Sequence, residues 1–186
     1  MLVCKAGSPR KLMLYIALIA FFLSMWMSSL ATIVVMLPII STILKTFNAS
    51  EKSRYAQGLA LSAIFGAVLG GMSTIVGNPA NALAVSIAYR TSGIRVEFIY
   101  WMLYSLPITL LILLVMVAAL CKMFDIKHDI ENGYIRFDRA LLVAFEAHLM
   151  GMGPLTREEK ITLGVFICAV SGWIVSSILS IRGVVY

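Results

Sequence analysis

The sequence predicts an all-α integral membrane protein: a re-entrant helical hairpin, one broken transmembrane helix and two further transmembrane helices. Three observations carry this. The 186 residues are 61% hydrophobic and only 13% charged, with a mean hydropathy of +0.96, too little charge to cover a soluble surface. The apolar residues fall in four runs, Leu12 to Leu44, Gln57 to Tyr89, Phe98 to Cys121 and Ile161 to Ile181, longer than core strands or helices need. The two longest runs each carry a polar or glycine-rich defect at their centre. The chain reads as a single membrane domain over 1–186, divided at 12–44, 57–89, 98–121, 122–160 and 161–181.

The first run holds no charged residue, and as one straight helix it would extend on the order of 50 Å against a hydrocarbon core of about 30 Å. Its centre reads Ser24-Met-Trp-Met-Ser28-Ser29-Leu30-Ala31-Thr32. Four hydroxyls fall where two arms of similar length would meet, the pattern of a re-entrant hairpin with a polar tip. Such a tip is tolerated at membrane depth only when buried in protein or lining a wet cavity. Pro38 lies in the second arm and would kink it. The competing reading is one long helix whose serines bond their own backbone.

Basic residues separate these two readings. Lys5, Arg10 and Lys11 precede the first run, Lys45, Lys52 and Arg54 follow it, and Arg90 and Arg95 follow the second; six lie in 122–160 and Arg182 follows the last. If every run crosses, the two sides hold 9 and 6 basic residues; if the first turns back, they hold 12 and 3. The larger asymmetry favours the hairpin and puts both its ends, the N-terminus and 122–160 in the cytoplasm of a plasma (inner) membrane.

The second run has a different defect. It reads Gly66-Ala-Val-Leu-Gly70-Gly71-Met-Ser73-Thr74-Ile-Val-Gly77-Asn78-Pro79-Ala-Asn81, which cannot continue a regular helix cheaply. An unwound centre between two half-helices fits, and such breaks are where secondary carriers build sites. Close packing through Gly-x-x-x-Gly explains Gly66 and Gly70 but not the stretch from Gly77 to Asn81. The third and fourth runs have ordinary spanning lengths. Between them, Leu141, Leu142, Phe145 and Leu149 share one face of an expected interfacial helix over 137–150. Thr156-Arg-Glu-Glu159 has the spacing of a capping box for the last helix.

Several function classes are excluded by what the runs contain. The net charge of +6 sits between apolar runs, so it orients the chain rather than binding nucleic acid. Cys4, Cys121 and Cys168 share no metal-ligand spacing. The N-terminal apolar run is too long for a signal-peptide core. No Asp, Glu, Lys, Arg or His lies in the two defective runs, which argues against a carboxylate proton relay there. No nucleophile with a base and no phosphate loop argues against an enzyme. What remains is neutral oxygen and nitrogen: the hydroxyls of Ser24, Ser28, Ser29, Ser73 and Thr74, the amides of Asn78 and Asn81, and carbonyls freed at the breaks. Hard cations prefer oxygen, and sodium can be held by uncharged ligands. The same groups can hydrogen-bond a carboxylate or sulfate, and a bound cation offsets the anion's charge.

These residues carry a family resemblance. Ser24-Met-Trp-Met-Ser-Ser-Leu-Ala-Thr-Ile-Val-Val-Met-Leu-Pro-Ile39 resembles the hairpin-tip motif of the divalent anion:sodium symporters, commonly S-M-W-I-S-N-T-A-T followed by M-L-P-I. Gly70 to Asn81 is similar to that family's G-G-x-G-T-x-x-G-T-P-P-N loop. Gly93 to Met102 with Leu106-Pro107, and Gly153 to Lys160, resemble the approaches to its next two helices. The order and spacing of all four agree. The tip departs at Ser29 and Leu30, where the family has Asn and Thr, and the loop at Ser73, Asn78 and Ala80.

The resemblance implies a sodium-coupled symporter of inverted-repeat fold for dicarboxylates, tricarboxylates or sulfate. It implies sodium ligands at Ser24, Ser28 and Ser29 and in the loop at Gly70, Gly71, Thr74 and Gly77. Substrate contacts are expected at Ser28, Ser29 and Leu30, with Asn78 and Asn81 beside them. The expected partners are sodium, a small divalent anion, the lipid bilayer, and either a second copy or the missing half of the transporter; no other cofactor is expected. Family members are more than twice as long and carry a second hairpin, so the chain is expected to be an internal fragment. The alternatives are a truncated membrane protein without transport activity and an accessory subunit.

Overall fold

A computed structural model of the protein describes residues 9–47, 49, 53–124 and 156–181. Among the described residues it contains six helices and no strand: α1 Pro9–Ser24, α2 Ser29–Thr46, α3 Arg54–Ser73, α4 Pro79–Ser92, α5 Phe98–Met123 and α6 Arg157–Ile181. The first apolar run is interrupted over 25–28 and the second over 74–78, at the two defects the sequence marks. The expected amphipathic helix at 137–150 lies outside the described residues.

Local chemistry sets most boundaries. Ser28 Oγ accepts the Ala31 N–H at 3.3 Å and opens α2, and Ser53 Oγ accepts the Ala56 N–H at 3.1 Å and opens α3; both satisfy an orphan donor of a first turn. Asn78 Oδ1 accepts the Ala80 N–H at 3.0 Å and Pro79 takes the first helical position of α4, where a missing N–H costs nothing. Gly93 closes that helix at φ +70°, a left-handed conformation glycine adopts without strain. α2 runs through Pro38 as one helix. α6 begins directly after Thr156, whose carbonyl accepts the Lys160 N–H at 3.1 Å.

Helix direction follows from which residues touch. A Cβ added to Gly66 would meet the Ala17 carbonyl oxygen, and one added to Gly70 the Phe21 carbonyl oxygen. Contacts therefore advance together along α1 and α3, which run parallel with backbones in direct contact. Without a hydrophobic drive between helices in lipid, such close approach is a main source of association. The Gly-x-x-x-Gly reading thus holds for Gly66 and Gly70, while the break begins after them. α2 returns antiparallel: Met36, Ile40, Ile43 and Phe47 join Leu12, Met13, Ile16 and Ala20 of α1 and Tyr55, Leu59, Ala63 and Ala67 of α3 in one cluster. The first run therefore folds back on itself. α5 lies antiparallel to α3, with Phe124 against Gly58, Thr109 against Ser73 and Trp101 against Met72.

Two features complete the bundle. Trp26 in the tip stacks on Trp173 of α6 at 6.3 Å and 5° and meets Phe166 edge-on at 5.9 Å, while Phe98 of α5 stacks on Trp173 at 6.2 Å. Aromatic pairs of this kind contribute about 0.5–1.5 kcal/mol beyond area burial. The helix register also gathers Arg10, Lys11, Lys45, Arg54 and Lys122 at one pole, where α1 and α3 begin and α2 and α5 end.

The α1–α3 contact yields a direct test. Gly70→Ala must push a methyl against the Phe21 carbonyl, so it should destabilise the fold by about 1–3 kcal/mol. Gly164→Ala on α6 meets nothing within 4 Å and should be neutral or stabilising by up to about 1 kcal/mol. Thermal unfolding in mild detergent reads both; equal midpoints would separate α1 from α3.

Candidate functional site

Four helix ends meet at one place. α1 ends at Ser24 and α3 at Ser73, while α2 begins at Ser29 and α4 at Pro79. The register of α1 on α3 brings them level. Ser24 Oγ donates to Ser29 Oγ at 3.1 Å, and Ser29 Oγ donates to the Ala67 carbonyl at 3.0 Å. A Cβ on Gly71 would meet Ser29 Oγ and come within 3.2 Å of the Gly77 carbonyl and 3.3 Å of Ser24 Oγ. A Cβ on Gly77 would come within 2.7 Å of the Ser24 carbonyl and 2.8 Å of the Gly71 carbonyl. Two hydroxyls and three carbonyls thus crowd Gly71 and Gly77, where no side chain could be accommodated without a shift. Ser24, Gly71 and Gly77 are buried and Ser29 is half-buried.

The unwound segment is braced on both sides. Thr74 Oγ1 donates to the Met25 carbonyl in the tip at 2.5 Å and accepts the Gly77 N–H at 3.0 Å. Asn81 Nδ2 donates to the Gly71 carbonyl at 2.9 Å and the Thr74 carbonyl at 2.7 Å. These bonds satisfy backbone groups that the break leaves without helical partners, as buried polar groups require.

The residues singled out from sequence do not all gather there. Ser24, Ser29, Gly71 and Gly77 converge, and Thr74 braces them. Gly70 faces Phe21 in the helix crossing instead. Ser28 is exposed and spends its hydroxyl on the cap of α2. Leu30 is 77% exposed, a bare apolar side chain on the rim of the tip. Asn78 caps α4, and Asn81 turns its amide nitrogen to the loop. Among the described residues no group of His, Cys, Asp or Glu is placed to hold a metal.

Two contributors were not singled out, and a third, Thr32, was counted only among the tip hydroxyls and given no site role. Thr109 of α5, buried, pairs its Oγ1 with Ser73 Oγ at 2.7 Å; a lone threonine in the apolar third run is the only trace of it in the sequence. Trp101 Nε1 donates to the Met72 carbonyl at 3.2 Å. Thr32 is fully buried, and among the described residues its Oγ1 is the one buried side-chain polar atom without a hydrogen-bond partner. It lies three residues beyond Ser29 on α2, a spacing that keeps two residues on one face.

Comparison with known proteins places the chain. Residues 1–185 match the family described as the sodium:sulfate symporter transmembrane region. An uncharacterised transporter of Haemophilus influenzae is 35% identical over 114 residues, 61% of this chain and 23% of that protein. The sodium-dependent dicarboxylate transporter SdcS of Staphylococcus saprophyticus is 28% identical over 166 residues, 85% of this chain and 31% of that protein. The Staphylococcus aureus protein of the same description is 24% identical over 181 residues, 93% of this chain and 34% of that protein. The matched stretches therefore cover only 23% to 34% of the length of these relatives.

The Ser73–Thr109 pair is testable by itself. Thr109→Val keeps the shape and removes the cross-helix bond of Ser73, whose hydroxyl still donates to the Leu69 carbonyl at 3.0 Å, so the cost should be about 0.5–1.5 kcal/mol. Thr109→Ser should recover most of that loss. Unfolding in detergent measures both; a valine variant as stable as the parent would mean that the hydroxyl pair adds nothing.

Proposed function

The chain belongs to the family of sodium:sulfate symporter transmembrane regions, and from that premise we propose that it forms one half-site of a secondary active carrier coupling sodium to uptake of a divalent anion, a dicarboxylate, tricarboxylate or sulfate. The observation that carries this is the junction of four helix ends around Gly71 and Gly77, approached by neutral oxygen.

The two kinds of helix end suit two kinds of ion. α1 and α3 present C-termini, whose free carbonyls carry partial negative charge; α2 and α4 present N-termini, whose free N–H groups carry partial positive charge. A sodium ion fits the oxygens of Ser24, Ser29, Gly71 and Gly77, because a hard cation needs oxygen and needs no formal counter-charge at a broken helix. Thr32 adds a buried hydroxyl with unused capacity on the same face of α2. The anion fits the N-termini of α2 and α4, beside the Ser28 hydroxyl and the amide nitrogen of Asn78, while the amide nitrogen of Asn81 stays on the loop carbonyls. Opposite unit charges about 4 Å apart at an effective dielectric near 20 attract by about 4 kcal/mol, so each ion favours the other. Sodium would also tie the hairpin to the unwound loop, so the anion meets an ordered tip only when the cation is present. Leu30 offers that anion no hydrogen bond, which makes it the residue expected to restrict the substrate.

The hairpin is read as re-entrant. α1 has 16 residues, about 24 Å of helix, short of a core of about 30 Å. Both hairpin ends share the basic pole, which the positive-inside rule assigns to the cytoplasm. Alternating access around such a site takes two repeats, supplied by the rest of the transporter or by a second copy.

Two experiments test this reading. Trp26 in the tip should report sodium as a saturable fluorescence change that choline does not give. Ser29→Ala should move its midpoint about tenfold upward, from the loss of one oxygen worth about 1–3 kcal/mol, and Gly71→Ala should abolish it. Leu30→Thr should leave the sodium midpoint unchanged. Superimposable titrations of the parent and Ser29→Ala would move the cation elsewhere. In a cysteine-free background, Lys11→Cys and Arg54→Cys should both label from the cytoplasmic side alone; labelling from opposite sides would rule out re-entrance.

A further inference from the structure

At the basic pole, where α1 begins and α5 ends, the structure holds a groove of about 500 Å³. Arg10 and Lys11 of α1 and Lys122 of α5 line its polar end, and Leu14, Leu114 and Val117 line its wall. Among the described residues no acidic side chain lines it, and the first turn of α1 holds none. Three cations from two helices therefore converge, with no opposing charge among the described residues of the groove. Below them the wall is apolar and continues onto a flank of α5 where Leu111, Leu114 and Val115 are exposed. The groove thus joins a cationic mouth to an apolar wall.

We propose that this groove is a binding site for an anionic phospholipid, with the headgroup phosphate between Arg10, Lys11 and Lys122 and an acyl chain along Leu14, Leu114 and Val117. Charge complementarity selects the headgroup: each basic side chain near a membrane surface favours an anionic lipid by roughly fivefold. The wall selects a lipid over a free anion, because an inorganic anion leaves the apolar surface unmatched. Lipid sites of this form occur where basic residues gather between helices at the cytoplasmic end. The site stands apart from the four-helix-end junction and does not depend on the transport reading.

The test is lipid selectivity of the full chain reconstituted in phosphatidylcholine, read by electron spin resonance of spin-labelled phosphatidylglycerol against spin-labelled phosphatidylcholine. The parent should immobilise phosphatidylglycerol about fivefold or more in preference. The variant carrying Arg10→Gln, Lys11→Gln and Lys122→Gln should fall to parity, while Arg90→Gln, away from this pole, should leave the preference intact. Lys122→Gln alone should give partial loss, and it serves if the triple variant loses helicity. Ala118→Trp keeps every cation and fills the groove, so it should also lose the preference. Parity in the parent, full preference retained in Ala118→Trp, or displacement of the labelled lipid by inorganic phosphate would each overturn the proposal.

Discussion

The contact between α1 and α3 at Gly66 and Gly70 is what the rest of the architecture depends on. The backbones touch there, at the Ala17 and Phe21 carbonyls, so the helices cannot slide without steric conflict. That fixed register sets Ser24 level with Gly71 and Gly77, and so brings the hairpin tip to the unwound loop. In a bilayer the surroundings are as apolar as a leucine side chain, so shape and close approach must do what hydrophobic burial does in water. Two glycines one turn apart supply that approach.

Once the breaks are level, the freed polar groups must be satisfied inside the protein. An unsatisfied backbone group in hydrocarbon costs several kcal/mol, more than any single packing contact returns. Thr74 and Asn81 meet part of this demand through two bonds each. Ser73, Thr109 and Trp101 fasten the end of α3 to α5. The oxygens of Ser24, Ser29, Gly71 and Gly77 lie close together at the junction. On the proposed reading, structural satisfaction and ion binding would be two uses of the same carbonyl groups.

The two poles of the bundle divide the chemistry. Helix ends, hydroxyls and amides gather at the tip; cations gather where the hairpin starts and finishes. A headgroup held by α1 and α5 at the basic pole would anchor the base of the hairpin without touching the tip. The aromatic stack of Trp26 with Trp173 and Phe166 restrains the other end. The hairpin is thus held at its tip against α6 and at its base against α3 and α5.

The sequence alone determined where the helices break. Ser24 to Thr32 and Gly77 to Asn81 are local signals, because a hydroxyl cluster, a proline and an asparagine cap act on their own few residues whatever packs around them. It also determined the basic pole, since charge in a membrane chain is confined to its ends, and the family, since four motifs in order specify more than any one. Facing was decided only by the tertiary structure. Ser28 and Ser29 are adjacent and chemically alike, yet one caps a helix in the open and the other turns inward to Ser24; Gly70 and Gly71 are adjacent, yet one packs on Phe21 and the other leaves space at the junction. A helix turns about 100° per residue, so neighbouring positions face different partners, and which partner waits depends on the register of another helix. Thr109 was illegible for the same reason, since its role depends on a residue 36 positions away that only packing brings to it.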